Sequence, residues 1–253
     1  MISAGSILKG PTIRAADPWI SGNKATSKLR QLLNDDERRR LAAIASVVRF
    51  KKGAKIYQEG NRADAVFNII SGVIKAHKTD PGGEQIAAFL FPDDLFGLSE
   101  QGRYANSATA VTPVTAFEIP VSALRSKLVH DPALEFHVIC KLCLELRQAQ
   151  RHAFLLSRRH ALSRLVLFLQ MLEQLQGARG ESTSQIYLPM TRSDIGEYVG
   201  MSLEAVSRGF RILATRGAIK ILNRRHVTIA NRGTFEKIAA DPNGSLGLGS
   251  TVQ

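Results

Sequence analysis

Residues 190–208, MTRSDIGEYVGMSLEAVSR, contain the pattern that decides the C-terminal fold. Thr191 and Asp194 stand three positions apart, the spacing of a capping box, and apolar residues at helical spacing follow them. Gly200 then favours a turn, and Ser202 is placed to cap a second helix. Two helices joined by a short turn that contains glycine are typical of the helix-turn-helix that binds DNA.

The second helix, predicted over residues 203–214, has one apolar and one polar side. Val206, Phe210 and Leu213 form the apolar side, which we expect to be buried. The polar side presents four residues three or four positions apart: Glu204, Ser207, Arg208 and Arg211. A carboxylate accepts from cytosine N4, a guanidinium donates two bonds to guanine, and a serine suits either base pair. This side is therefore predicted to enter the major groove.

A β-hairpin is predicted after the second helix, because β-prone runs at 218–222 and 226–229 are joined by a short polar link at 223–225. The unit is then a winged helix-turn-helix. No acidic residue lies between positions 205 and 235, so basic side chains there are predicted to contact DNA phosphates. A solvated basic face is the alternative. Beyond the polar side of the second helix, the predicted DNA-binding residues are Thr191, Arg192, Ser202, Arg224 and Arg225.

Length and composition agree with a basic protein of two domains. The chain has 253 residues, and its 34 Lys and Arg against 22 Asp and Glu leave a net charge of +12, which favours a polyanionic partner. Nucleic acid and an anionic membrane surface would both satisfy that charge.

No apolar run approaches the ~20 residues of a membrane span. Cys140 and Cys143 are too few for a disulfide framework, so we expect a cytoplasmic protein.

The region before the helix-turn-helix changes character along the chain. Residues 27–48 have helical spacing and predict short helices. Between 49 and 122, turn signals recur at intervals of roughly ten residues between β-prone runs, as in a β-roll, sandwich or barrel. The predicted segments are a flexible arm at 1–27, a sensor-type β-roll at 28–130, a dimerisation helix at 131–157, the winged helix-turn-helix at 158–240 and a disordered tail at 241–253.

A long helix is predicted from Pro132, which follows the capping residue Asp131. Its apolar positions alternate in spacing between three and four: Ile139, Leu142, Leu146, Ala149, Ala153 and Leu156. Such a seam predicts a partner helix, and hence a homodimer. The alternative is a helix buried within one domain. A second stripe, formed by Phe136, Cys140 and Leu144, is available to pack on the roll and leaves the seam for another subunit.

The segment 190–208 resembles the helix-turn-helix of the Crp/Fnr superfamily of bacterial transcription regulators. Shorter stretches at 52–53, 59–60, 71–72 and 94–97 resemble the turns of the β-roll in that superfamily. The resemblance implies an α+β protein with an N-terminal cyclic-nucleotide-binding-type β-roll, a long dimerisation helix and a C-terminal winged helix-turn-helix. It also implies a regulator and not an enzyme.

Glu204, Ser207 and Arg208 match the Glu-x-x-Ser-Arg pattern of the Fnr/FixK-like branch. The resemblance implies a homodimeric activator that binds palindromic double-stranded DNA with TTGA-like half-sites about one helical turn apart, and that contacts RNA polymerase. Glu204 and Arg208 would read the G·C pair of each half-site. Ser207 would contact a thymine.

The roll lacks the ligand-binding residues of its better-known relatives. Members that bind cyclic nucleotides have a Glu shortly after a glycine and an Arg-Ser pair about ten residues later, whereas this chain has Gly-Leu-Ser at 97–99 and Asn-Ser-Ala at 106–108. We therefore expect that the roll does not bind cyclic AMP with high affinity. Fnr-type sensors hold an iron-sulfur cluster with four cysteines, mostly near the N-terminus, and this chain has none before Cys140, so we predict no cofactor.

Other kinds of regulation and function remain as alternatives. Cys140 and Cys143 are predicted to be packed thiols, with a redox or metal-sensing role as the alternative. Haem could be ligated by one of three histidines: His77, His130 or His137. A small ligand could occupy the roll, although we favour control by the abundance of the protein. A metal-dependent roll enzyme would need a His cluster, and positions 49–122 contain only His77.

Overall fold

The computed structural model describes residues 35–241. The predicted flexible arm at 1–27 and the predicted disordered tail, except for its first residue, lie outside the described residues. Asp241 is buried and ends the last helix. Within the described range, no helix is long and apolar enough to cross a membrane.

The N-terminal half is a roll of two antiparallel sheets that follows a short helix. Its elements are α1 (Asp35–Ala42), β1 (Ser46–Phe50), β2 (Lys55–Tyr57), β3 (Ala65–Ser71), β4 (Ile74–Asp80), β5 (Gly83–Leu90), β6 (Leu95–Phe96), β7 (Ser107–Ala110) and β8 (Val114–Pro120). One sheet has the strand order β1-β8-β3-β6 and the other β2-β7-β4-β5. Apolar side chains from both sheets fill the interior, which confirms the predicted roll.

The structure of this half differs from the prediction in two details. Residues 46–48 were predicted to be helical, but they belong to β1 because Val47 and Val48 pair with Phe117 and Ala116 of β8. Strands β6 and β7 were not predicted, since they are too short for alternation to be visible.

The C-terminal half is helical and carries a small third sheet. Its elements are α2 (Val121–Val129), α3 (Pro132–Ser157), α4 (Ala161–Ala178), β9 (Ile186–Tyr187), α5 (Arg192–Val199), α6 (Leu203–Thr215), β10 (Ile219–Ile221), β11 (His226–Ile229) and α7 (Arg232–Ala240). The third sheet has the order β10-β11-β9. Helices α2 and α7 were not predicted from the sequence.

Helix α3 begins at Pro132, because the Asp131 carboxylate accepts a hydrogen bond from the Leu134 N–H at 3.2 Å. Its 26 residues span about 39 Å at the rise of an α-helix. The predicted packing of Phe136 on the roll is wrong, since its side chain is 62% exposed. Leu134 and Val138 make that contact instead, so the helix is rotated relative to the predicted stripe.

The roll and the C-terminal helices share one core. Ile86, Phe89 and Phe91 from the roll lie in the same apolar cluster as the buried residues of α4, α5 and α6. The Phe89 ring lies 6.2 Å from that of Phe168 in α4 and 5.3 Å from that of Tyr198 in α5. Continuous burial of this kind favours one relative placement of the two halves.

Candidate DNA-binding interface

Helix α5 begins at the predicted capping box. The Thr191 hydroxyl accepts from the Asp194 N–H at 3.0 Å, and an Asp194 carboxylate oxygen accepts from the Thr191 N–H at 2.9 Å. The helix ends at Gly200, whose φ of 66° lies in the left-handed region. Thr191 is exposed, and its hydroxyl also donates to the Asp194 carboxylate at 2.7 Å.

The second helix, α6, is held by a cap and by close packing. The Ser202 hydroxyl accepts from the Ala205 N–H at 3.2 Å, as predicted. Val206, Phe210 and Leu213 are buried, which confirms the predicted apolar side. A side chain on Gly196 of α5 would collide with the Met201 carbonyl oxygen, so this glycine allows the two helices to approach.

The outer side of α6 carries the four predicted base-contacting residues, all of them exposed: Glu204, Ser207, Arg208 and Arg211. We call these four residues the reading face. Hydrogen bonds from the Glu204 N–H and the Ser202 hydroxyl, together with the charge of Arg208, lower the pKa of Glu204. The carboxylate is therefore ionised at neutral pH beside a guanidinium, and groups of these two kinds can hydrogen-bond to cytosine and guanine.

Arg192 does not lie with the reading face. Its guanidinium packs over the Phe210 ring at 3.4 Å from the centroid, a cation–π contact. Burial lowers its pKa to about 10. One terminal nitrogen of Arg192 is buried without an acceptor among residues 35–241.

The predicted wing is the β10–β11 hairpin, in which Ile219 is opposite Ile229. The Asn223 side chain accepts from the Arg225 N–H at 2.8 Å and shapes the tip. Arg224 and Arg225 are exposed there, where a DNA backbone could be contacted.

Arg232 differs from the rest of the basic run. Its guanidinium donates to Glu173 of α4 at 2.8 Å, and this hydrogen bond raises its pKa. One basic residue of the run from 205 to 235 therefore pairs with an acidic residue, Glu173, which lies 59 positions away in the sequence.

The predicted dimerisation seam lies on the surface of α3. Ile139, Leu142 and Leu146 are 50%, 41% and 60% exposed, and Ala149 and Ala153 are also exposed. The last seam residue, Leu156, is half-buried against the core of the C-terminal half.

Both cysteines are free. Cys140 is half-buried, but Cys143 is exposed on α3, so the prediction that both thiols are packed is wrong for Cys143. Among residues 35–241, no three His, Cys, Asp or Glu side chains are close enough together to hold a metal ion.

Sequence reasoning missed the residues that join the helix-turn-helix to the rest of the protein. Lys75 of β4 donates to Asp194 of α5 at 2.9 Å. His152 of α3 stacks on Tyr198 with 3.9 Å between ring centroids, and its Nε2 donates to the Tyr198 carbonyl at 2.7 Å. No sequence signal could have found these pairs, because their members lie 119 and 46 positions apart.

Comparison with known proteins agrees with this geometry. The chain matches the model of the cyclic nucleotide-binding domain over residues 47–131 and that of the Crp-like helix-turn-helix domain over residues 163–238. It is 32% identical over 217 residues to the nitrogen fixation regulation protein FixK of Bradyrhizobium diazoefficiens, covering 85% of this chain and 91% of that protein. It is 36% identical over 172 residues to the transcriptional activator protein anr of Pseudomonas aeruginosa, covering 67% and 70%.

Among solved structures, that of FixK2 from Bradyrhizobium japonicum superposes with a TM-score of 0.72 at 29% identity, covering 78% of this chain and 98% of that one. Fold, helix-turn-helix and relatives agree with the expectation of a regulator and not an enzyme. The chain belongs to the Crp/Fnr family of transcription regulators, in its FixK-like branch.

Proposed function

We propose that two copies of this chain bind an inverted repeat with TTGA-like half-sites and activate transcription at neighbouring promoters. The observation that carries the proposal is the reading face, which is exposed while the opposite side of α6 is buried. Glu204 and Arg208 would recognise the G·C pair of each half-site, and Ser207 would contact a thymine. Arg211 completes the surface that enters the groove.

Phosphate contacts would surround this face. Thr191 and Ser202 are exposed at the starts of α5 and α6, where backbone N–H groups favour anions. Arg224 and Arg225 would contact the backbone from the wing. Arg192 would contact a phosphate only if its guanidinium left the Phe210 ring.

The homodimer would form through α3. Ile139, Leu142 and Leu146 make an exposed apolar stripe, of a kind that a monomer seldom leaves in water. Pairing this stripe with its copy would place two reading faces about one helical turn of DNA apart, roughly 34 Å.

Activation is supported by relatives that are named as transcriptional activators, and it would require contact with RNA polymerase. Regulation by cyclic AMP is not part of the proposal. The rings of Tyr57 and Tyr104 stack at 3.7 Å inside the roll and pack with Phe67 and Phe96, so aromatic side chains occupy its interior.

The test is fluorescence anisotropy of the full-length protein with a duplex that contains the inverted repeat and with a scrambled duplex, at moderate salt. We expect Arg208→Ala to lose about 1–3 kcal/mol on the repeat and to discriminate less at the G·C position. Arg225→Ala is the matched control, because loss of a phosphate contact weakens both duplexes about equally. A wild-type protein without preference for the repeat, or equal losses on both duplexes for Arg208→Ala, would contradict the proposal.

A further inference from the structure

The helix-turn-helix is docked on the roll by the side that faces away from the reading face. Helix α5 lies against β5, where Phe89 contacts Tyr198, and Arg179 at the end of α4 lies over the Phe91 ring at 4.9 Å. Helix α6 packs mainly on α4, α5 and β10. Docking therefore leaves the reading face accessible.

Lys75 provides the polar part of this docking contact. Its ammonium group lies between Glu84 of the same sheet and Asp194 of α5, and the Lys75 and Asp194 side chains are only 17% and 14% exposed. Burial alone would lower the pKa of Lys75, but hydrogen bonds to the two carboxylates raise it overall. Hydrogen bonds from Thr191 and Lys75 lower the pKa of Asp194 against the effect of burial. Both groups are therefore charged at neutral pH.

Asp194 is also the residue that defines the start of α5. One carboxylate oxygen accepts from Thr191 and closes the capping box, and the other accepts from Lys75. The roll thus binds the helix at its N-terminal end. At its C-terminal end the same helix is bound by α3, through the hydrogen bond from His152 to the Tyr198 carbonyl.

We propose that Lys75 is a positioning residue for DNA recognition: through Asp194 it holds the helix-turn-helix in one orientation relative to the dimerisation helix. This inference rests on the proposed function. A single half-site needs only one reading face, so it would be bound in any orientation of the domain. An inverted repeat needs two reading faces at a set separation, so it would be bound well only when both are held in place.

The experiment compares three duplexes: the inverted repeat, the same repeat with one base pair inserted between its half-sites, and a single half-site. The variants are Lys75→Met, which removes the ammonium group but keeps an unbranched apolar chain as long as the lysine stem, and Lys75→Arg, which keeps the charge. Lys78→Met is the matched control, since Lys78 lies on the same strand, is 62% exposed and pairs with Glu59 of the roll.

We expect Lys75→Met to bind the repeat on the order of tenfold more weakly, because an ion pair is lost in each of two subunits. Its binding to the half-site should change less than twofold, and its preference for the correct spacing should shrink. Lys75→Arg should restore affinity and spacing preference, and Lys78→Met should resemble the wild type. A protein that was merely less stable would bind all three duplexes more weakly by a similar factor.

Amide hydrogen exchange provides a measurement without DNA. In Lys75→Met, we expect faster exchange in residues 192–199 and 83–90, with no change in Lys78→Met. The inference is overturned if Lys75→Met keeps the affinity and spacing preference of the wild type, or if Lys75→Arg is as impaired as Lys75→Met. A wild type that does not distinguish the repeat from scrambled duplex overturns the proposed function as well, so the two failures are distinguishable.

Discussion

Replacing Glu145 by Gln should stabilise this protein at alkaline pH and leave its stability unchanged in acid. Glu145 lies on α3 close enough to Asp94 and Tyr57 of the roll to interact with them electrostatically, and one of its carboxylate oxygens is buried without a hydrogen-bond partner among residues 35–241. Burial, and secondarily the charge of Asp94, raise its pKa from 4.5 to about 7, although Lys141 opposes the change.

The direction of this pH dependence follows from the number of protons that the folded and the unfolded state bind. Between pH 4.5 and about 7 the folded protein keeps a proton on Glu145 that the unfolded chain has lost, so stability falls as the pH rises through this window and is constant above it. A tenfold change in an acid constant corresponds to about 1.4 kcal/mol, so ionised Glu145 costs the folded state about 3 kcal/mol. Partial exposure of the carboxyl reduces this to about 2 kcal/mol.

The assay is thermal unfolding of the wild type and of Glu145→Gln at pH 5 and at pH 8, at one protein concentration. We expect the variant to gain about 2 kcal/mol at pH 8, or roughly 5 °C in the midpoint, and only about 0.5 kcal/mol at pH 5, where the unfolded chain has begun to lose the proton. Glu100→Gln, at an exposed loop position, is the matched control and should change neither value. An equal gain at both pH values, or a loss at pH 8, would refute the reasoning.

Three further predictions concern the dimer and the helix-turn-helix. Leu146→Glu should shift the protein towards monomer in analytical ultracentrifugation, because it places a charge on the exposed stripe of α3, whereas Gln101→Glu in an exposed loop of the roll should not; an unchanged sedimentation coefficient for Leu146→Glu would argue against this interface. Gly196→Ala should lower the free energy of unfolding by about 2 kcal/mol in urea titrations, because the added methyl group would collide with the Met201 carbonyl oxygen. An unchanged free energy of unfolding would show that α5 and α6 can separate at little cost. Ser202→Ala should cost about 1 kcal/mol in the same titration through loss of the cap on α6, and a smaller loss would indicate that packing alone holds the start of that helix.

The helix-turn-helix could be predicted because its signals are local. The capping box of Thr191 and Asp194, the left-handed turn at Gly200 and the cap at Ser202 each depend on residues within a few positions of one another. The start of α3 after Asp131 is predictable for the same reason. The exposed side of α6 follows from helical periodicity once the helix is known.

Errors arose where local pattern was weak or where partners were distant. The first three residues of β1 were interpreted as helix because the pairing of this strand with β8 joins residues about 70 positions apart, as Val47 and Phe117 show. Phe136 was assigned to the wrong side of α3, because apolar residues recur all along this helix and permit several rotations about its axis. The burial of Leu134 in one cluster with Leu41 and Val66 selects one of these rotations.

The sequence by itself determined the class of protein and which side of α6 is exposed, because helix caps, turns and periodic faces depend on neighbouring residues in the chain. Only the tertiary structure decided how the helix-turn-helix is seated: the ion pair of Lys75 with Asp194, the contact of His152 with Tyr198 and the pairing of Arg232 with Glu173 all join distant segments. Such contacts depend on the distances and desolvation that folding creates, and no spacing within the chain encodes them.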